Sequence, residues 1–204
     1  MRVAWDDRLG PRYDRVMYLT FSPDGQRLAY SAEQGEIWFM VVNHRDKGEC
    51  YAHATPVFSP DSKHLAYGVW HGGKWFIVLD GRAGPGVRGG SLNGPLFSPD
   101  SQHVGYTVTD EEGTTAVVDG HRMPLPDKGR GSLDAILSPN LEHVACVVKK
   151  GDKEFVAFEG QAQPEFNDTW DVTFSPDGGR LAYLGRTAAN GLSWWTEGSR
   201  RRLT

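Results

Sequence analysis

One short segment occurs five times in this chain. It begins as Phe21-Ser22-Pro23-Asp24 and ends at Tyr30, and its copies are regularly spaced. The serines of the five copies are 37, 39, 40 and 37 residues apart: Ser22, Ser59, Ser98, Ser138 and Ser175. A fixed period in this range indicates a repeat architecture. The chain is therefore expected to consist of several similar structural repeats.

Each copy predicts a β-hairpin. Ser22-Pro23-Asp24-Gly25 is typical of a type I turn, because serine suits the first position, proline fixes φ at the second, and glycine is favoured at the fourth. Proline also excludes a helix here, since it has no N–H to donate. After the turn, Leu28 and Tyr30 alternate with Ala29, and an alternation of period two indicates a strand.

A second element lies between these hairpins. It is an apolar run that ends in an acid and a glycine, as in Ile77-Val78-Leu79-Asp80-Gly81, and Asp-Gly after a strand favours a type I′ turn. The acid or amide recurs with the same period at Asp6, Asn43, Asp80, Asp119, Glu159 and Glu197. Both elements together predict four short strands in each repeat, and so an all-β fold.

Four antiparallel strands in about 40 residues are typical of a blade of a β-propeller. The Phe-Ser-Pro-Asp segments resemble the WD40-like repeats of TolB and of the propeller domains of prolyl-oligopeptidase-type peptidases. The resemblance covers nearly the whole chain, and it implies a β-propeller of about five four-stranded blades. It implies little about function, because this repeat serves many unrelated proteins. No hydrolase domain follows the repeats, so a peptidase is not expected, and the chain is predicted not to be an enzyme.

A single propeller domain is predicted over residues 1–204. Residues 1–14 match the second half of a repeat, and we expect this half-blade to supply an outer strand to the last blade and so close a five-bladed ring. The alternative is that the chain is a piece of a longer array. A closed ring would protect the sheet edges. The predicted repeats are 15–52, 53–90, 91–130, 131–168 and 169–204.

Composition limits the partners and the compartment. The net charge of −4 argues against a nucleic-acid partner. Cys50 and Cys146 are expected to be free thiols, since two cysteines form neither a disulfide framework nor a zinc site. The first twenty residues contain no signal peptide, and no apolar run approaches the roughly 18 residues of a membrane span. We expect no membrane insertion and a cytoplasmic location by default, or a periplasmic one if a leader was removed.

Three histidines invite a metal hypothesis, which the repeat argues against. They occupy one equivalent position, five residues after each turn serine, where the other two repeats carry arginine. Equivalent positions in different blades point away from one another, so they cannot form a tetrahedral site. The position is instead expected to need a cationic or long polar group near the turn aspartate. These residues are His64, His103 and His143, with Arg27 and Arg180 in the other repeats. No metal and no cofactor is predicted.

The candidate binding residues lie where the repeats differ, because variable loops on a rigid scaffold are free to bind. The predicted loops between second and third strands are 33–35, 70–74, 109–113, 149–152 and 186–190. They yield the candidates Trp70, His71 and Lys74, and Trp170 is expected at a loop edge of the same variable face. The alternative is that these segments are solvated turns. Trp38, Trp75 and Trp195 are expected to pack between blades.

A second set of candidates comes from counting three residues back from the Phe or Leu before each turn serine. These residues should open the innermost strands and surround one mouth of the channel: Tyr18, Thr55, Gly94, Asp134 and Asp171. Asp134 and Asp171 come from neighbouring repeats and would share a cation, an amine or a sugar hydroxyl. Alternatively, each carboxylate only caps its own strand.

Three functions are compatible with these patterns. The favoured hypothesis is a non-catalytic binding or scaffold propeller that presents a variable face to a protein or peptide. The first alternative is a binder of a small, sugar-like polar ligand at the channel mouth. The other is a five-bladed glycoside hydrolase, which would need two carboxylates about 5–9.5 Å apart.

Overall fold

The computed structural model describes residues 1–50, 55–111, 113–125, 132–158, 161–187 and 192–196. Within these ranges all the regular structure is β-strand, which confirms the predicted all-β fold. The chain divides into two compact units, here called the N-terminal unit (residues 1–88 and 94–102) and the C-terminal unit (residues 89–93 and 103–204).

The N-terminal unit contains a two-stranded sheet followed by two blades. The half-blade is the antiparallel pair β1–β2, and the first blade has the order β3-β4-β5-β6. In the second blade, β7, β8, β9 and β10 are neighbours, and β11 also pairs with β9. The strands are β1 Ala4–Trp5, β2 Arg8–Leu9, β3 Arg15–Phe21, β4 Leu28–Gln34, β5 Ile37–Val42, β6 Arg45–Cys50, β7 Val57–Phe58, β8 Leu65–His71, β9 Lys74–Leu79, β10 Arg82–Ala83 and β11 Val87–Arg88.

The C-terminal unit contains three sheets with the same up-and-down order. Strands β13, β14 and β15 are neighbours, then β16 to β19, then β20 to β22. Strand β12 (Ser91–Phe97) is divided between the units after Asn93. The other strands are β13 Val104–Asp110, β14 Gly113–Val118, β15 His121–Arg122, β16 Ser132–Leu137, β17 Val144–Lys150, β18 Lys153–Phe158, β19 Gln161–Ala162, β20 Asp168–Phe174, β21 Leu181–Arg186 and β22 Leu192–Thr196.

The predicted variable loops are shorter than the sequence suggested. Gln34 pairs with Ile37, and His71 pairs with Lys74, so each of these hairpins turns over only two residues. Glycines with positive φ, such as Gly72 at 57° and Gly73 at 75°, make these turns possible. In the first four hairpins most of the predicted loop residues therefore belong to strands, and the fifth predicted loop, 186–190, lies partly outside the described residues.

The acid of the Asp-Gly element accepts a hydrogen bond from the backbone of the second strand. Asp80 has a φ of 49° and Gly81 one of 82°, as the predicted type I′ turn requires. The Asp80 carboxylate accepts the backbone N–H of Leu65 at 2.9 Å, across the blade. Asn43 and Asp119 accept the equivalent bonds at the same length. In these three blades the residue therefore supplies an oxygen that holds the start of the second strand.

The Ser-Pro-Asp turns are built around a buried serine. The hydroxyl of Ser59 donates to Asp61 at 2.6 Å and accepts the backbone N–H of His64 at 2.9 Å. Ser59 is fully buried. The hydrogen bond from Ser59, followed by one from the Lys63 N–H, lowers the pKa of Asp61 to about 2. The carboxylate thus stays ionised as part of the turn.

The Ser-Pro-Asp turns of neighbouring blades are also hydrogen-bonded to one another, which the sequence did not predict. The backbone N–H of Asp24 donates to the hydroxyl of Ser62 in the next blade at 3.0 Å. The N–H of Asp61 donates in the same way to Ser101, also at 3.0 Å. Ser62 and Ser101 take left-handed φ values of 63° and 65° at the fourth turn position, where the sequence motif has glycine. The hydrogen bond that each serine hydroxyl accepts from the neighbouring blade offsets the free-energy cost of this backbone conformation.

The core lies between successive sheets. One apolar cluster joins the first and second blades through residues such as Met40, Phe58 and Tyr67, and Trp38 packs against it as predicted. Cys146 is buried and forms no disulfide, as predicted, while the side chain of Cys50 lies outside the described residues. The part of the chain that the structure describes has no long apolar helix of the kind that crosses a bilayer.

Candidate functional site

Two of the three histidines at the equivalent position contact an aspartate of their own blade. His64 Nδ1 lies 2.7 Å from Asp80 Oδ2, and His103 Nδ1 lies 2.6 Å from Asp119 Oδ2. The aspartate that these histidines contact is therefore that of the Asp-Gly turn. His143 instead packs edge-on against Phe158, with ring centroids 5.8 Å apart. Among the described residues no three metal-binding side chains lie close enough together to hold an ion.

Tyr18 and Asp171 lie inside their strands, so the prediction that they open the innermost strands was wrong for both. Pairing shifts between Met17 and Thr20 in β3, and between Trp170 and Thr173 in β20, and such shifts mark a β-bulge. Tyr18 has a φ of 56° and Asp171 one of 54°. Non-glycine residues in this region cost free energy and are common at binding sites. The bulge turns both side chains out of the regular strand alternation.

The other candidates from this count are placed differently. Thr55 is exposed and lies two residues before β7, while Gly94 has a φ of 111° within β12. Asp134 lies at a bulge in β16, opposite Val147, but its side chain is outside the described residues. The expected sharing of a ligand by Asp134 and Asp171 stays a prediction.

Trp70, His71 and Lys74 lie together at the end of one hairpin. Trp70 belongs to β8 and not to a loop, and its ring packs on that of Trp75 with centroids 5.3 Å apart. Its half-buried state fits a packing role. His71 and Lys74 are exposed and directly paired across β8 and β9. Trp70 thus lies in a strand and not at the expected loop edge, and its contact with a partner stays a prediction.

A cleft of about 580 Å³ lies in the C-terminal unit, between the blade of β16–β19 and strand β20. We call it the acidic cleft. Apolar side chains such as Ile136, Val147 and Val172 line it, together with three carboxylates and one tryptophan. The polar lining residues that carry the argument are Glu154, Asp168, Thr169, Trp170 and Asp171.

The three carboxylates of the acidic cleft differ in how they are engaged. Glu154 Oε2 accepts the backbone N–H of Thr169 at 2.8 Å, and Asp168 is paired with Arg186. Asp171 is exposed, and within the described ranges its carboxylate has no hydrogen-bond or ion-pair partner. The hydroxyl of Thr169 is buried and also unpaired there. Asp171 is therefore free to contact a ligand, whereas the Thr169 hydroxyl is covered by the protein.

Comparison with known proteins identifies the fold. No family model matches the chain, and no curated protein matches it. Among solved structures, TolB from Acinetobacter baumannii is similar at 18% identity, with a TM-score of 0.50 over 90% of this chain and 52% of that one. The chain has a TolB-like β-propeller fold. A structure described as the eukaryotic initiation factor is similar at 15% identity, with a TM-score of 0.55 over 96% of this chain and 56% of that one.

A third similar structure is the β-propeller domain of the Trilobed protease from Pyrococcus furiosus. It is 13% identical, with a TM-score of 0.49 over 97% of this chain and 69% of that one. The likenesses to TolB and to the initiation factor, at 18% and 15% identity, establish the fold alone. The propeller described here spans about half the length of the TolB and initiation-factor chains that it matches.

Sequence reasoning found part of the acidic cleft of this propeller. Trp170 and Asp171 were predicted, and they are adjacent at the cleft. Trp170 lies inside β20, however, and not at the edge of a loop. Sequence reasoning missed Glu154, Asp168 and Thr169. Glu154 lies in β18, and the other two residues begin β20, so no repeated motif links their positions in the sequence. Only the packing of neighbouring blades brings them together.

Proposed function

We propose that this protein is a non-catalytic binding propeller that holds a cationic group of a protein or peptide partner in the acidic cleft. The observation that carries the proposal is the pairing of an exposed tryptophan with an unengaged carboxylate. Trp170 is 36% exposed, and Asp171 follows it at the bulge in β20. Exposed large apolar side chains at a cavity are typical of contact surfaces.

The chemistry of the acidic cleft favours a lysine or arginine side chain. Such a side chain needs an apolar wall for its methylene stem and a negative group for its head. Ile136 and Val172 offer the wall, and Asp171 offers the charge. A cation over the face of Trp170 would gain a further attraction of about 0.5–2 kcal/mol. Asp168 and Glu154 add negative potential without being free themselves.

A sugar-like ligand is the second candidate, and the same tryptophan favours it. The ring face of Trp170 could stack on a sugar, while the Asp171 carboxylate accepts hydrogen bonds from its hydroxyl groups. A glycoside hydrolase is less favoured, since two of the three carboxylates are already bound to protein groups. The compartment, cytoplasm by default or periplasm after loss of a leader, stays a prediction.

Binding to an array of short peptides tests this proposal. We expect peptides with a central lysine or arginine to bind, and Asp171→Asn or Trp170→Ala to weaken that binding about tenfold. Because both side chains are exposed, we expect the melting temperature to change little. Asp152→Asn is the matched control, since Asp152 is an exposed turn acid of the same unit that does not line the cleft.

Equal binding by Asp171→Asn and Asp152→Asn would contradict the proposal. A loss of stability that accompanies the loss of binding would mark Asp171 as part of the scaffold. Binding of immobilised sugars but not basic peptides would favour the second candidate. Turnover of chromogenic glycosides would contradict a non-catalytic role.

A further inference from the structure

A second cleft lies in the N-terminal unit, and its charge is opposite. It has a volume of about 630 Å³ and lies among the half-blade and the first and second blades. We call it the basic cleft. Three arginines from three different elements line it: Arg8 of β2, Arg27 of the first Ser-Pro-Asp turn and Arg45 of β6. No sequence motif joins these arginines.

The arginines of the basic cleft differ in how firmly they are held. Arg27 donates through Nη2 to the backbone oxygen of Ser62, and its guanidinium lies 4.7 Å from the ring centre of Phe58. These contacts fix its position before any ligand arrives. Arg8 and Arg45 are exposed, and within the described ranges neither has an ion-pair partner. Two guanidinium groups are therefore available beside one that is preorganised.

The acid among the lining residues is already engaged. Asp80 accepts the N–H of Leu65 at 2.9 Å through one oxygen and contacts His64 Nδ1 at 2.7 Å through the other. Three guanidinium charges thus face one carboxylate. The residues that line the cleft thus carry a surplus of two positive charges, which suits a group with two negative charges.

One residue of the basic cleft, Asn43, departs from the pattern of the repeats. Of the six equivalent positions that begin at Asp6, five carry an acid, and only Asn43 carries an amide. Asn43 Oδ1 accepts the N–H of Leu28 at 2.9 Å, which is the bond that aspartate makes elsewhere. The structural role is therefore served equally well by either residue. What asparagine changes is the charge, since Asn43 lines the basic cleft and leaves its amide nitrogen there as a further donor.

We propose that the basic cleft binds an organic dianion, either a phosphate monoester or a dicarboxylate. Arginine binds both groups through paired, charge-assisted hydrogen bonds. Val42, Leu65 and Tyr67 also line the cleft, so the body of the ligand has apolar surface to contact. This site is in the other unit from the acidic cleft, and it does not depend on the function proposed there.

Isothermal titration with three anions tests the proposal on the full chain. We expect phenyl phosphate or phthalate to bind at least tenfold more tightly than inorganic phosphate, which lacks an apolar body. Phenyl phosphate and phthalate distinguish the phosphate and dicarboxylate forms of the ligand. Raising the salt concentration should weaken the binding, as for any exposed ion pair.

The decisive variant is Asn43→Asp. It restores the acid of the other repeats and keeps the bond to Leu28, so the melting temperature should not fall, but affinity for the dianion should drop at least tenfold. Arg45→Gln should also lower the affinity for the dianion at least tenfold. Arg88→Gln is the control and should bind normally, since Arg88 is an exposed arginine of the same unit that does not line the cleft. Normal binding by Asn43→Asp, equal affinity for all three anions, or no binding of any of them would overturn the proposal.

Discussion

Replacing Phe166 by alanine is expected to lower the free energy of unfolding by about 3–5 kcal/mol, the usual cost of emptying a buried aromatic site. Phe166 is only 2% exposed. Its ring sits where a Cβ on Gly185 would be, 2.5 Å from two ring atoms, and packs edge-on against Tyr183 at 6.1 Å. Its backbone exchanges two hydrogen bonds with Glu154, at 2.9 and 2.7 Å. The residue thus joins the last two blades.

The midpoint of urea unfolding measures this effect. Phe21→Ala is the control, because Phe21 is 53% exposed and its loss should cost about 1 kcal/mol or less. Gly185→Ala should also destabilise, since its methyl group would occupy the space of the Phe166 ring. A Phe166→Ala variant as stable as Phe21→Ala would show that this contact does not hold the two blades together.

Deleting residues 1–14 is expected to lower the melting temperature by roughly 6–24 °C. Val3 and Tyr13 of this segment are 5% and 4% exposed, and they pack with Leu28, Tyr30 and Val41 of the first blade. Losing the burial of these two side chains costs about 3–6 kcal/mol, and each kcal/mol corresponds to about 2–4 °C in a chain of this size. The newly exposed apolar face should also promote association.

Differential scanning calorimetry and size-exclusion chromatography check the deletion. Tyr13→Ala should reproduce part of the loss, whereas Arg12→Ala, an exposed neighbour, should have almost no effect. A deleted chain with an unchanged melting temperature and monomeric state would contradict this role. The prediction that the half-blade closes a ring is separate and remains a prediction.

The hairpins could be predicted from sequence because their causes are local. Proline and serine at the Ser22-Pro23 turn, and the left-handed pair Asp80-Gly81, act through their own backbone and close neighbours. The bulges at Tyr18 and Asp171 could not be predicted, since neither residue type favours a positive φ strongly enough to mark it. Counting back three residues from the Phe before the turn serine therefore found Asp171, but it placed the residue at the start of its strand and not at a bulge inside it.

The clefts depended on contacts between repeats, which a single sequence shows only indirectly. Trp170 was found because the repeats differ at that face, and Asp171 was found by counting back from the turn, but Glu154 comes from another blade. For the basic cleft, the exchange of an acid for Asn43 was visible in the sequence as a variant of the repeat. Its meaning became clear only when Arg8 and Arg45 were placed beside it.

Hydrogen–deuterium exchange along the chain tests most directly the claim that the protein is a series of equivalent blades. The account predicts peaks of protection that recur every 37–40 residues on the second strands, which are bonded on both sides, with rapid exchange at each Ser-Pro-Asp turn. The predicted peaks are Leu28–Gln34, Leu65–His71, Val104–Asp110, Val144–Lys150 and Leu181–Arg186. One continuous protected region, or protection without this period, would contradict the account.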